Sequence, residues 1–116
     1  MSINNYCTFI GRLGADPELK SFGDNKSLIK FSIAVTEKYV DRSTGEIKKE
    51  TTWVDLICFR PGLIKFISKT SQKGTKIMVV AKYSVQKYES EGEKKFSHQF
   101  IVEDFTPFDK MKPFEE

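Results

Sequence analysis

"KKETTWVDLICFR", residues 48–60, is the stretch that decides the fold. Every second residue gives Val54, Leu56 and Cys58, an apolar face with the period of a β-strand. The other face carries Trp53, Asp55, Ile57 and Phe59. A chain of 116 residues builds one modest core, and one face of this strand already supplies it. An unpaired buried carboxylate would cost several kcal/mol, so the face bearing Asp55 is at least partly wet. Trp53 and Phe59 are therefore candidates for contact with a ligand, against the plainer assignment of both rings to the interior.

Working outward, Tyr6 to Leu13 reads as a first strand, with Gly11 and Gly14 marking a kink or close approach before the turn at Asp16-Pro17. A short piece follows at Glu18 to Phe22. Ser27 to Tyr39 alternates again, with Ile29, Phe31, Ile33 and Val35 on its apolar face. "YVDRSTGEIKKE" has charged flanks around a Ser-Thr-Gly tip and predicts a two-stranded arm leading back into the opening strand. After residue 60 the period changes. Leu63, Phe66, Ile67 and Thr70 fall at helical spacing over residues 61–73, with Pro61 at the start and Gly74 at the stop. Thr75 to Tyr88 returns to strand, with Ile77, Val79, Ala81, Tyr83 and Val85 on one face. "ESEGEKK" predicts a hairpin loop around Gly92, and Phe96 to Phe105 the last strand.

Strands without βαβ repeats argue against a parallel sheet. Five antiparallel strands with one short helix between the third and fourth predict an all-β fold, a Greek-key barrel of the oligonucleotide/oligosaccharide-binding (OB) type. Residues 1–106 are expected to form that domain and residues 107–116 a short mobile tail.

Composition narrows the function. No apolar run approaches the roughly 20 residues of a membrane span, and the N-terminus has no charged-then-apolar secretory pattern, so a cytoplasmic protein is expected. Cys7 and Cys58 sit in apolar strand patterns and read as small buried hydrophobes in a reducing compartment. His98 is the only histidine. The chain lacks a GxSxG elbow, a phosphate-binding Gly-rich loop, HExxH and an EF-hand loop, so neither catalysis, a metal nor a cofactor is expected. Asp55 as a general acid or base has no identifiable partner.

The charge is informative in its distribution. The net is +3, but residues 103–116 hold five acids against two lysines, a net of −3, which leaves +6 on residues 1–102. Aromatics also stand among cations: Tyr39 near Lys38 and Arg42, Tyr88 beside Lys87. Unpaired bases offer π-faces worth roughly 1–3 kcal/mol each on aromatic side chains, while Lys and Arg neutralise phosphates. A duplex hides those faces, and a sugar would not need so many cations. Single-stranded nucleic acid is the ligand class that uses both.

"FIGRLGADPEL", "TGEIKKETTW" and "KGTKIMV", in this order, resemble the bacterial-type single-stranded DNA-binding protein (SSB) family, the likeness running from about Asn4 to Phe105. The resemblance implies an OB fold without catalysis that coats single-stranded DNA with little sequence preference in replication, recombination and repair. It implies base stacking on Tyr39, Trp53, Phe59 and Tyr88, of which Tyr39 and Tyr88 stand where many members have Trp. It places phosphate contacts at Arg42, Lys48, Lys73 and Lys87, with Arg60 as a further contact in a segment one residue longer than usual. It also implies a homo-oligomer, a homotetramer by preference and a dimer as the alternative; Val54 replaces a His that members commonly carry near a subunit contact. Pro113-Phe114 is followed by Glu115 and Glu116, so partner recruitment through a terminal Pro-Phe is not expected. The competing reading is an OB adaptor of the replication machinery that binds mainly a protein or RNA.

Overall fold

Strand β1 (Cys7–Leu13) is where the barrel closes. In the computed structural model, which describes residues 4–108, β1 pairs along most of its length with β5 (Lys76–Ser90) and, at Arg12↔Ala34 and Leu13↔Ile33, with β3 (Ser27–Val40). β3 pairs with β4 (Ile47–Cys58), β4 with β6 (Glu93–Pro107), and β6 with β5, which completes a ring of five. A short edge strand, β2 (Glu18–Ser21), lies outside the ring against β3. The barrel expected from the sequence is therefore present, with one correction. The β4–β6 pair, Leu56↔Phe100 and Ile57↔Ile101, is parallel. Parity requires it: neighbours cannot all run antiparallel around a closed ring with an odd number of strands.

The double duty of β1 depends on Gly11. A Cβ there would lie 2.4 Å from the Ala34 carbonyl oxygen, inside van der Waals contact, so β3 could not approach. Backbone bonds extend the closure. The Leu13 N–H donates to Thr75 O at 3.0 Å, and the Gly74 N–H donates to Leu13 O at 2.8 Å.

Alternation fills the interior as read: Ile29, Phe31 and Ile33 from β3, Val54, Leu56 and Cys58 from β4, and Ile77, Val79 and Ala81 from β5 are buried. Helix α1 (Pro61–Thr70) plugs the barrel with Ile64 and Ile67. Ile64 lay off the expected stripe. The helix also ends three residues early, where the Ser71 N–H bonds Ile67 O. Gly74, with φ of +93°, serves the following turn. Phe105 ties β6 to this core through edge-to-face contacts with Phe31 and Phe66, at centroid distances of 5.6 and 6.3 Å.

Three further expectations are corrected, and the distal half of β5 is open. Tyr83 and Val85 are exposed, because β5 outlasts the barrel and only its first half overlies the core. The loop around Gly92 is just two residues, Glu91 and Gly92, both at positive φ. That is the turn whose twist matches its flanking strands, so pairing continues to Ser90↔Glu93. Ile57, on the face read as wet, is buried at the parallel seam where β6 lies alongside. Cys7 is only half-buried, while Cys58 is fully enclosed with its thiol pKa raised by burial; both are free thiols.

Two ribbons, β3–β4 and β5–β6, run beyond the barrel. They account for a radius of gyration of 17.0 Å, against about 13 Å for a compact domain of this length. The final strand reaches Pro107, and the Phe108 N–H bonds Lys76 O at 2.8 Å. The start of the expected tail thus belongs to the sheet, and its remainder, 109–116, lies outside the described residues.

Closure through Gly11 is open to test. Gly11→Ala is expected to cost about 2 kcal/mol or more by wedging β1 from β3, lowering Tm by on the order of 10 °C in thermal unfolding. An unchanged Tm would show that the barrel does not depend on this contact.

Candidate nucleic-acid interface

Trp53 stands midway along the outer face of β4, 59% exposed and set opposite Ala34 of β3. Its indole rests on the chain at Gly14, where a Cβ would meet the ring at 2.5 Å. Trp53 borders an open groove of about 610 Å³, walled by Lys30 and Ser32 of β3, Asp55 of β4, and His98 and Gln99 of β6. Asp55 is partnered, since Ser32 Oγ donates to its Oδ1 at 2.5 Å across the directly opposed pair. On the β6 side, the Tyr83 hydroxyl and His98 Nδ1 are hydrogen-bonded and their rings stack at 5.8 Å. Phe100 continues that row to Phe9 and the core.

The other expected stacking rings are accessible but dispersed. Phe59 follows the end of β4 and is 41% exposed. Tyr39, 49% exposed, projects from the β3–β4 ribbon opposite Lys48, so these two expected contacts do meet. By strand alternation they share a face with the Glu37↔Glu50 pair, whereas Trp53 shares its face with Thr36, Thr51 and the Lys38↔Lys49 pair. A single strand touching both Tyr39 and Trp53 must pass around the ribbon edge. Tyr88, also 49% exposed, sits opposite Lys95 near the tip of the β5–β6 ribbon.

The expected cations differ in how free they are. Arg42 is exposed in the turn at the β3–β4 tip. Lys73 is exposed and held near the groove, because its N–H donates to Asp16 Oδ1 at 2.7 Å and Asp16 lines the groove wall. Lys87 lies 6.0 Å from the Phe96 ring centre. Two cations are already engaged. Lys48 pairs with Asp41 at 2.9 Å, and Arg60 with Glu103 at 3.4 Å. Hydrogen bonds from Ser43 and Lys48 lower the Asp41 carboxyl from 3.8 to about 2. A lowered folded pKa means the contribution is complete above the ordinary value and is lost as pH falls through about 2. The pair is therefore intact at neutral pH.

Sequence reasoning missed several groups. Lys38 and Lys49 face each other on the Trp53 side, and among the described residues neither has an ion-pair partner. Directly opposed like charges destabilise a ribbon unless an anion joins them. Phe96, Tyr83 and His98 form an aromatic row on one face of β5–β6. The alternation Phe96, His98, Phe100, Val102 could have revealed it. Among the described residues no group of three or more His, Cys, Asp or Glu is placed to hold a metal.

The chain matches the model of the Single-strand binding protein family over residues 4–108. Proteins named single-stranded DNA-binding protein from Rickettsia typhi and Rickettsia prowazekii are each 30% identical over 103 residues, which cover 88% of this chain and 68% of theirs. A solved complex of Plasmodium falciparum SSB with ssDNA superposes with a TM-score of 0.77 at 26% identity, over 94% of this chain and 97% of that one. A deletion mutant of the Thermus aquaticus single-stranded DNA binding protein has the same fold, with a TM-score of 0.77 at 21% identity over 91% of this chain and 51% of that one.

Two substitutions probe this geometry. Gly14→Ala is expected to swing the indole off its seat, raising acrylamide quenching of Trp53 while changing stability by less than about 1 kcal/mol. Asp41→Asn keeps an acceptor for the turn but releases Lys48. Oligo-dT affinity at low salt is then expected to rise a few-fold, on the order of one phosphate contact. Equal affinities would mean that Lys48 meets no phosphate.

Proposed function

The chain belongs to the single-strand binding protein family, and we propose from that premise that it coats single-stranded DNA with little sequence preference, serving replication, recombination and repair without catalysing a reaction. The observation that carries this reading is an open groove whose rim holds an exposed indole, with further accessible rings and cations along two ribbons. Rings on strand faces accept any base, because every base has a π-face. Lysines and arginines on flexible stems follow the backbone without reading sequence.

In this reading Trp53, Phe59, Tyr39 and Tyr88 stack bases. Arg42, Lys73 and Lys87 meet phosphates, and Lys38 and Lys49 join them because bound phosphate would relieve their mutual repulsion. Lys48 and Arg60 contribute only if phosphate displaces Asp41 or Glu103. The two faces of the β3–β4 ribbon imply a wrapped path for the DNA. A homotetramer fits such wrapping, and two exposed residues, Tyr6 just before β1 and Ile10 within it, offer apolar surface for self-association. No helix among the described residues is long and apolar enough to cross a membrane; we assign the protein to the cytoplasm, with the DNA it covers.

Trp53 is the only tryptophan, so its fluorescence is a clean reporter. Titration with oligo-dT is expected to quench it, and matched duplex to leave it nearly unchanged. Five phosphate contacts give a log–log salt slope of roughly −3.5. Trp53→Ala removes that reporter, and the anisotropy of a labelled oligo-dT is expected to show a loss of about 1–3 kcal/mol of binding. Salt-independent binding, or equal affinity for duplex, would overturn the assignment. Sedimentation is expected to give four chain masses, and a monomer would exclude the tetramer.

A further inference from the structure

A carboxylate is an unexpected lining for a groove that receives a polyanion. Asp55 lies two residues beyond Trp53 on the same strand face, roughly 7 Å along β4, and both border the same groove. Ser32 Oγ holds its Oδ1, and no described residue donates to Oδ2. The other charged or titratable groups on the groove wall are Lys30, Asp16, Glu18 and His98. Asp16 is engaged by the Lys73 N–H, and His98 by Tyr83. A phosphate seated against Asp55 would meet like charge. A base edge would not.

We propose that Asp55 is a specificity-determining residue: it reads the edge of the base stacked on Trp53, favouring guanine and disfavouring thymine at that one position. The inference rests on the single-stranded DNA reading above and adds a local bias to an otherwise tolerant interface. An ionised carboxylate only accepts hydrogen bonds. Guanine presents N1–H and N2–H side by side, a donor pair for the two carboxylate oxygens. Adenine and cytosine each present one exocyclic amine. Thymine presents a single N–H flanked by two carbonyl oxygens, which the carboxylate repels. The bond from Ser32 holds the carboxyl in place, so little side-chain freedom is lost when a base arrives.

The test compares oligo-dT with a matched oligonucleotide of alternating dT and dG, in lithium salt to suppress guanine self-association. It uses Trp53 fluorescence with the full chain and with Asp55→Asn, which keeps the acceptor for Ser32; circular dichroism confirms that the variant is folded. The wild-type chain is expected to bind the guanine-containing strand about 5- to 10-fold more tightly, the low end for a bidentate base contact. Asp55→Asn is expected to shrink that ratio below about 2-fold while oligo-dT affinity holds or improves. Replacing dG by deoxyinosine, which lacks the N2 amine, is expected to weaken wild-type binding only. A guanine preference that survives in Asp55→Asn, or a wild-type preference for oligo-dT, overturns the role of Asp55 alone. Failure of both strands to bind overturns the single-stranded DNA reading, and this inference with it.

Discussion

The structure depends on one close approach, that of β1 to the backbone of β3 at Gly11. Without it, β1 would remain only the partner of β5 and the sheet would stay open, with two long edges. With it, five strands form a ring, and the odd number forces one parallel seam between β4 and β6. That seam sets β6 beside the outer face of β4 and so supplies the second wall of the groove. The position of the candidate binding surface thus follows from how the barrel closes.

Closure also divides the residues of β4 between two environments. Val54, Leu56 and Cys58 are enclosed in one core with Ile64 and Ile67 of α1, while Trp53 and Asp55 point outward. Ile57 breaks the division because it lies at the seam. Trp53 owes its posture to the missing side chain at Gly14, which lets the loop after β1 run directly beneath the ring. An indole supported on one side and open on the other suits stacking, since little of its freedom remains to be lost when a base arrives.

Electrostatics are more divided than the composition suggests. The β3–β4 ribbon sets Lys38 and Lys49 on one side, and Glu37, Glu50 and Lys48 on the other. Lys48 and Arg60 are neutralised by near neighbours. A basic body of +6 is therefore a poor guide to which cations are available. Availability is set by cross-strand register, which places an acid beside some lysines and another lysine beside others.

Much of this was legible in the residues. Period-two alternation marked β3 and β4 and separated their core faces from Trp53 and Asp55. The change of period marked the helix, and a carboxylate between two aromatics marked the wet face. These are local properties, written within one strand. The parallel seam, the burial of Ile57, the exposure of Tyr83 and Val85, and the opposed faces of Tyr39 and Trp53 were not legible. Each depends on where a strand stops overlapping its neighbours, or on which residue of a distant strand lies opposite. Sequence alone determined which side of each strand is apolar; tertiary structure alone decided which outward side chains share a groove, because pairing register joins residues that the chain keeps far apart.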